Sequence, residues 1–336
     1  MPGAFTFGVS GPDLTPDEAA LIREADPWGF ILFARNADHG ARAGTDAADR
    51  LRRLTGGLRD AVGRDAPVMI DQEGGRVERL PVPPFSTWPP PLDHMARAAD
   101  AERAMHLRAA LIGAELRAVG IDVNCTPCAD VATADTHPVL RNRCYGEDAE
   151  AVARRARANA EGCVAGGVLP VLKHIPGHGR ASLDSHVALP RVAADIDTLR
   201  ATDFAAFAPL ADLPMGMSAH IVFEALDPDR PATISPTVIR AIRDEIGFGG
   251  LLFTDDISMG ALPGTVAERC AAALAAGCDV VLHCNGERAD MEVVAAACPA
   301  LSGDALRRAD AALARRPAPA ALDTDALRAE LAALGV

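Results

Sequence analysis

Val168-Leu169-Pro170-Val171-Leu172-Lys173-His174 opens the stretch that decides the architecture, and Ile175-Pro176-Gly177-His178-Gly179 carries it on toward Asp184-Ser185-His186. The apolar run from Val168 to Leu172 stops abruptly at a Lys-His pair. A short apolar run bounded by polar and glycine-rich sequence reads as a buried strand, here one that delivers Lys173 and His174 to its end and then releases a polar loop. Gly177 and Gly179 open backbone angles closed to other residues, so the loop from Gly177 to His186 can fold back or move. Three of the chain's nine histidines, His174, His178 and His186, fall within thirteen residues, and His186 stands two positions from the Asp184 carboxylate. An ordinary surface loop gives no reason for that concentration.

Outward from this strand the pattern repeats. Before it come the extended runs Phe5 to Val9, Gly29 to Phe33, Pro67 to Ile70 and Ile121 to Asn124; after it come Met215 to Ser218, Gly250 to Phe253 and Val280 to His283. Most are separated by helical composition. Thr15-Pro16-Asp17-Glu18 predicts a capped helix running to about Ala25, with Thr15 and Glu18 forming a capping box. Asp46 to about Val62 carries Leu51, Leu54 and Leu58 on one stripe. Further helices are expected over Ala101 to Val119, Glu147 to Ala165, Pro236 to Ile246 and Val266 to Ala276. The Pro-rich stretch Pro81 to Pro91 reads as an irregular loop, because the alternation resumes beyond it. Strands apolar on both faces and joined by helices imply a parallel sheet covered on its outside. Eight such units predict an α/β fold of the (β/α)8 TIM-barrel type, one domain over residues 1–336. The Ala-rich segment from about 289 to 336 is expected to form helices packed on the barrel. An open doubly wound sheet is the alternative, but no GxGxxG follows the first strand.

Composition narrows the partners. Hydrophobic residues make up 49%, enough for a large core, whereas aromatic residues make up only 4%, which argues against a sugar platform of stacked rings. Any sugar is then held by polar side chains. A formal charge of −13 repels nucleic acid and anionic lipid, so a small-molecule partner is expected. No apolar stretch approaches the ~20 residues of a membrane helix, and Met1-Pro2-Gly3-Ala4 opens no export leader, so the expected location is cytoplasmic. Eight scattered cysteines read as buried free thiols; Cys125-Thr126-Pro127-Cys128 has redox or zinc half-site spacing but no second CxxC to complete it.

A barrel places its active site at the carboxyl ends of its strands. The residues there are Asp71 and Glu73, Asn124, Lys173 and His174, His220, Asp255 and Asp256, and His283. Helix caps account for one or two such groups but not for so broad a convergence. Carboxylates, Lys, Arg and His without a Cys-His ligand cluster suggest sugar or acid–base chemistry; a metal site from His174, His220 and Asp255 stays open. Asp255 and Asp256 would face opposite sides of a continuing strand, so one is expected to face the cavity and the other to fix the loop. Glu73 and Glu78 are expected to pair with Arg76.

Together, KHIPGHG followed by DSH, DQEGGRVERL from Asp71 to Leu80 and FTDDISM from Phe253 to Met259 resemble glycoside hydrolase family 3, in particular the single-domain bacterial β-N-acetylglucosaminidases of cell-wall recycling. The resemblance implies retaining hydrolysis of N-acetylglucosaminyl-1,6-anhydromuramoyl-peptides by a cytoplasmic monomer with no cofactor and no metal. It implies Asp255 as nucleophile, His186 on the loop as acid and base with Asp184 as its partner, and Asp71, Arg79, Arg143, Lys173 and His174 as contacts to the sugar hydroxyls. Arg143 lies in Arg141-Asn142-Arg143-Cys144-Tyr145-Gly146, where the family commonly has an apolar residue near Cys144 and Tyr145. Clustered cations would keep Asp255 ionised. A phosphorylase of the same family and a catalytically silent sugar-binding barrel are the alternatives.

Overall fold

The computed structural model describes residues 1–37, 45–80, 83–181, 189–318 and 321–336. Eight parallel strands close into a barrel: β1 (Gly3–Gly8), β2 (Pro27–Leu32), β3 (Val68–Ile70), β4 (Val123–Asn124), β5 (Leu169–Ile175), β6 (Met215–Ser218), β7 (Leu251–Asp256) and β8 (Val280–His283). Each pairs with its neighbours in sequence, and β8 returns to β1 with Phe5 opposite Val281 and Phe7 opposite His283. This is the (β/α)8 barrel expected from the alternation.

The strands are apolar on both faces because both faces are buried. Inside, Trp28, Ile31, Met69, Val123, Val171, Met215, Leu251, Phe253 and Val280 fill the barrel, while Phe30, Leu32, Val68, Ile70, Leu172 and Leu252 pack outward into the helical layer. The lower end is closed by the helix Gly303–Ala314, whose Ala309 and Ala312 join the inner cluster. Small side chains let that helix lie close beneath the strands. Asp122, fully buried at the foot of β4, accepts from the Val68 amide at 2.7 Å and pairs with Arg59 and Arg316 at 3.2 and 2.8 Å. One carboxylate thus ties the helix Thr45–Val62 and the C-terminal segment to the barrel floor.

The chain departs from the sequence expectation in four places. β5 runs on through Lys173 and His174 to Ile175, which pairs with Ser218, and β7 runs on through both aspartates, with Asp256 opposite Leu282. Neighbouring strands keep supplying hydrogen-bond partners past the last apolar residue. Short helices at Pro91–Arg97 and Pro138–Arg141 each open with proline at an N-terminal position, where its missing N–H costs nothing. The capping box at Thr15 forms only by half: Thr15 Oγ1 accepts from the Glu18 amide, but the Glu18 carboxylate turns to the Ser10 amide at 2.8 Å. A complete box forms instead at Thr265 and Glu268. Last, Arg191–Val192 and Val222–Phe223 make a separate two-stranded parallel sheet.

Candidate active site

A cavity of about 340 Å³ opens at the carboxyl ends of the strands, at the lower end of the ~300–1,000 Å³ of small-molecule sites. Its lining includes Asp71, Arg79, Arg143, Lys173, His174 and Asp255, so the barrel brings these six expected residues together. Asp184 and His186 lie outside the described residues. Asn124, His220 and His283, also at strand ends, stay out of the lining.

Lys173 and His174 both face the cavity although they are adjacent in β5. The pairing of β5 with β6 is irregular between Leu172 and Ile175, which breaks the usual alternation at this point. Lys173 Nζ lies 2.6 Å from Asp71 Oδ1 and 2.7 Å from Glu73 Oε1. Arg143 grips the same Glu73 with two hydrogen bonds, Nε to Oε2 at 2.9 Å and Nη2 to Oε1 at 2.8 Å. Arg79 Nη2 stands 3.9 Å from Asp71 Oδ2. Burial alone would push the Glu73 carboxyl up and the Lys173 ammonium down. The neighbouring opposite charges reverse both shifts, so Glu73 sits far below the usual carboxylate range and Lys173 well above the usual amine range.

Glu73, placed at the site by its position, has a role there that the sequence reading missed. Its expected partner was Arg76, and Glu78 was expected to join them; instead Glu73 bridges Arg143 and Lys173, and Glu78 accepts from the Trp88 amide at 3.0 Å. The signal was its place at the end of β3 beside Asp71, which says that it is near the site but not whom it meets. Asp130 was missed as well. Its Oδ2 stands 2.8 Å from His174 Nδ1, while Oδ1 accepts from the amides of His174 and His178 at 3.2 and 2.6 Å. An ionised carboxylate can only accept, so His174 carries a proton on Nδ1 and turns Nε2 toward Arg143, 3.5 Å away. Asp130 itself is held below its ordinary value, because the His174 and His178 contacts outweigh its burial.

Asp255 lies in the last two residues of β7, at the cavity wall. Burial would raise its carboxyl, but the imidazoles of His220 and His174 and the Asp256 amide, 2.8 Å from Oδ1, hold it down at about 2. The groups that set its ionisation are therefore histidines rather than the Arg and Lys cluster. Asp256, next along, accepts at Oδ1 from the Ser258 amide, the Ser258 hydroxyl and the Cys284 amide at 3.1, 2.8 and 3.2 Å, and so ties down the loop as expected for the second aspartate, although against expectation it lines the cavity as well.

The other histidines divide. His220 Nε2 donates to the Asp256 carbonyl at 2.9 Å, and Nδ1 meets Thr233 Oγ1 at 2.8 Å, so it braces β7 from beneath. His178 lines the cavity and stacks edge-on to His174 at 5.3 Å; burial, then His174, push it down to about 4. His283 packs edge-on to Phe7, 6.1 Å away, with Nε2 3.9 Å from Asp290. All eight cysteines are free and buried. Among the described residues, the donors close enough to share a metal ion are Cys128, Asp130 and His174, not the set His174, His220 and Asp255. No helix among them is long and apolar enough to cross a membrane.

The chain matches the glycosyl hydrolase family 3 N-terminal domain over residues 17–315. It is 36% identical to a β-hexosaminidase of Pseudomonas aeruginosa over 301 residues, 88% of this chain and 86% of that protein. With a β-hexosaminidase of Chromobacterium violaceum the identity is 37%, over 88% and 83% of the two chains. Among solved structures, NagZ from Neisseria gonorrhoeae in complex with N-trifluoroacetyl-D-glucosamine superposes with a TM-score of 0.86 at 28% identity, covering 100% of this chain and 98% of that one. A family 3 β-N-acetylglucosaminidase from Paenibacillus sp. str. FPU-7 gives 0.85 at 30%, covering 99% and 67%. A match spanning nearly the whole barrel, on top of a strand-end cavity that holds the motif residues, means that this chain belongs to glycosyl hydrolase family 3.

Proposed function

We propose that the protein is a retaining exo-β-N-acetylglucosaminidase that removes terminal N-acetylglucosamine from N-acetylglucosaminyl-1,6-anhydromuramoyl-peptides. The observation that carries this reading is the convergence of an ionised Asp255 with Asp71, Arg143, Lys173 and His174 on one cavity. β-Hexosaminidase relatives and a structural neighbour holding an N-acylated glucosamine support the sugar assignment. The substrate is a soluble fragment, and the reading carries with it a cytoplasmic, monomeric enzyme.

The chemistry proceeds in two displacements. A carboxylate oxygen of Asp255 attacks the anomeric carbon while the bond to the leaving oxygen breaks, and that oxygen takes a proton from His186. Water then gives a proton to His186 as it attacks the anomeric carbon, releasing the sugar and restoring the Asp255 carboxylate. Asp184 stabilises the imidazolium present before the first step and restored by the second. Lys173, Arg79, Arg143, Asp71 and His174 hold the ring through its hydroxyls. The low ionisation point of Asp255 suits a nucleophile that must be charged at neutral pH.

Trapping tests the proposal. A fluorinated N-acetylglucosaminyl fluoride, which forms the intermediate faster than it is hydrolysed, is expected to leave one sugar on the peptide containing Asp255, read by mass spectrometry. Labelling of a different residue, or none, defeats the nucleophile assignment. His186→Ala is expected to lose on the order of 10²–10⁴ in kcat/KM on poor leaving groups and far less on dinitrophenyl glycosides, which need little protonation. Equal losses on both would count against an acid role.

A further inference from the structure

Arg76 differs from the other cations of the cavity. Lys173, Arg143 and Arg79 each have a carboxylate opposite them, supplied by Asp71 or Glu73. Arg35 is anchored through Nε to the Val9 carbonyl at 2.8 Å and through Nη2 to the Cys284 carbonyl. Arg76 is exposed, lines the cavity, and has no ion pair or hydrogen-bond partner among the described residues. Its backbone, by contrast, sits in a tight turn: the amides of Glu73 and Gly74 both donate to the Val77 carbonyl, at 2.9 and 3.0 Å, and the Gly75 amide donates to the Trp88 carbonyl at 2.7 Å. Gly74 and Gly75 have φ of 96° and 63°, and a Cβ on Gly74 would lie 2.9 Å from Trp88 Cβ, so the turn tolerates no other geometry. A fixed turn therefore presents a guanidinium that the described residues leave uncompensated.

A second observation says what lies beside it. Arg76 and Arg143 also line a narrow cleft of about 90 Å³ beside the cavity, walled by Gly74, Pro90, Pro91, Pro138 and Asn142. Its proline walls offer few groups that would bind a sugar ring, but they fit an extended chain passing out of the site. In a protein of net charge −13, a cation unpaired among the described residues attracts an oxyanion locally against the overall field. A guanidinium also matches a planar carboxylate with two parallel hydrogen bonds.

We propose that Arg76 is the oxyanion grip of an acceptor-side subsite, binding a carboxylate carried by the leaving part of the substrate while the attached chain runs along the proline-walled cleft. This rests on the glycosidase reading of the same cavity. The same guanidinium chemistry would also receive free inorganic phosphate, and the test separates the two sources.

The probes are 4-carboxyphenyl 1-thio-β-N-acetylglucosaminide and its methyl ester, whose C–S bonds are not hydrolysed, so titration calorimetry reads binding independently of turnover. The wild-type protein is expected to bind the carboxylate about tenfold more tightly than the ester, one charge-assisted contact being of that order. In R76Q the preference should fall to within about twofold, and in R76K part of it should return, since a point charge replaces the fork. No preference in the wild type, a preference that survives R76Q, or no binding of either probe overturns the proposal. If inorganic phosphate displaces the carboxylate probe and glycosyl phosphate appears when the O-linked glycoside is supplied, the site belongs to free phosphate and the aglycone assignment is wrong. Failure to cleave the O-linked glycosides would fall on the hydrolase reading alone and leave the binding result standing.

Discussion

Asp255→Ala is expected to lower kcat on an aryl N-acetylglucosaminide by on the order of 10⁴-fold or more, the scale seen when a covalent nucleophile is removed. The reason is positional. The carboxylate sits at the end of β7 on the cavity wall, braced through Asp256 by His220, and neither Asp71 nor Asp256 is free to replace it. Asp71 is held by Lys173 at 2.6 Å, and Asp256 by Ser258 and Cys284. With alanine at this position a small anion such as azide can enter the vacated space. On a dinitrophenyl glycoside, azide is expected to restore part of the turnover and to yield the α-glycosyl azide, because one displacement inverts where two retain. Circular dichroism should show an intact barrel. Wild-type turnover in the variant, or a β-configured azide product, would remove Asp255 from the centre of the mechanism.

Glu73→Gln is expected to cost about 3–5 kcal/mol of stability, the usual loss when one partner of a buried ion pair is neutralised and the other left in place. Glu73 takes both hydrogen bonds of the Arg143 fork and one close contact from Lys173, and all three side chains are largely buried. Glutamine offers one acceptor where two are needed and turns an amide N–H against a guanidinium. Lys173 and Arg143 then lose the geometry with which they hold the sugar, so KM should rise by about tenfold or more as stability falls. Urea denaturation and steady-state kinetics measure the two effects; a change below about 1 kcal/mol with unchanged KM would show that Glu73 is not the hub.

The pH dependence carries a sign. Because the folded protein holds the Glu73 carboxyl below its ordinary value, its contribution is complete above the unfolded value of about 4.3 and is lost as the pH falls below it toward the folded value. Asp255, held at about 2, acts in the same direction between about pH 4 and pH 2. The gap between wild type and Glu73→Gln should therefore be constant from neutral pH to about pH 5 and shrink below about pH 4.

Much of this was legible before any coordinates. Apolar runs with polar residues at their ends mark strands that emerge at a functional face, because a residue flanked by buried neighbours in a parallel barrel has only the rim on which to be polar. Lys173, Asp71 and Asp255 were found this way. The helix Val266–Ala276 and the strand Val280–His283 have the limits their composition suggested, since capping and apolar burial are both local. Where pairing between strands competes with local pattern, the boundaries moved: β5 and β7 each extend past their last apolar residue.

The order of residues establishes the set of strands, their succession, and which chemical groups each one carries to its end. Which of those groups meet is set by the closure of the barrel. Glu73 and Arg143 are 70 residues apart, Lys173 and Asp71 are 102 apart, and Asp130 and His174 are 44 apart. Local pattern records whether a residue is buried; it does not record distances across a closed barrel. Whether a carboxylate bridges two cations, fixes an imidazole or faces the cavity depends on Coulomb and hydrogen-bond terms that act over a few ångströms between strands remote in the chain.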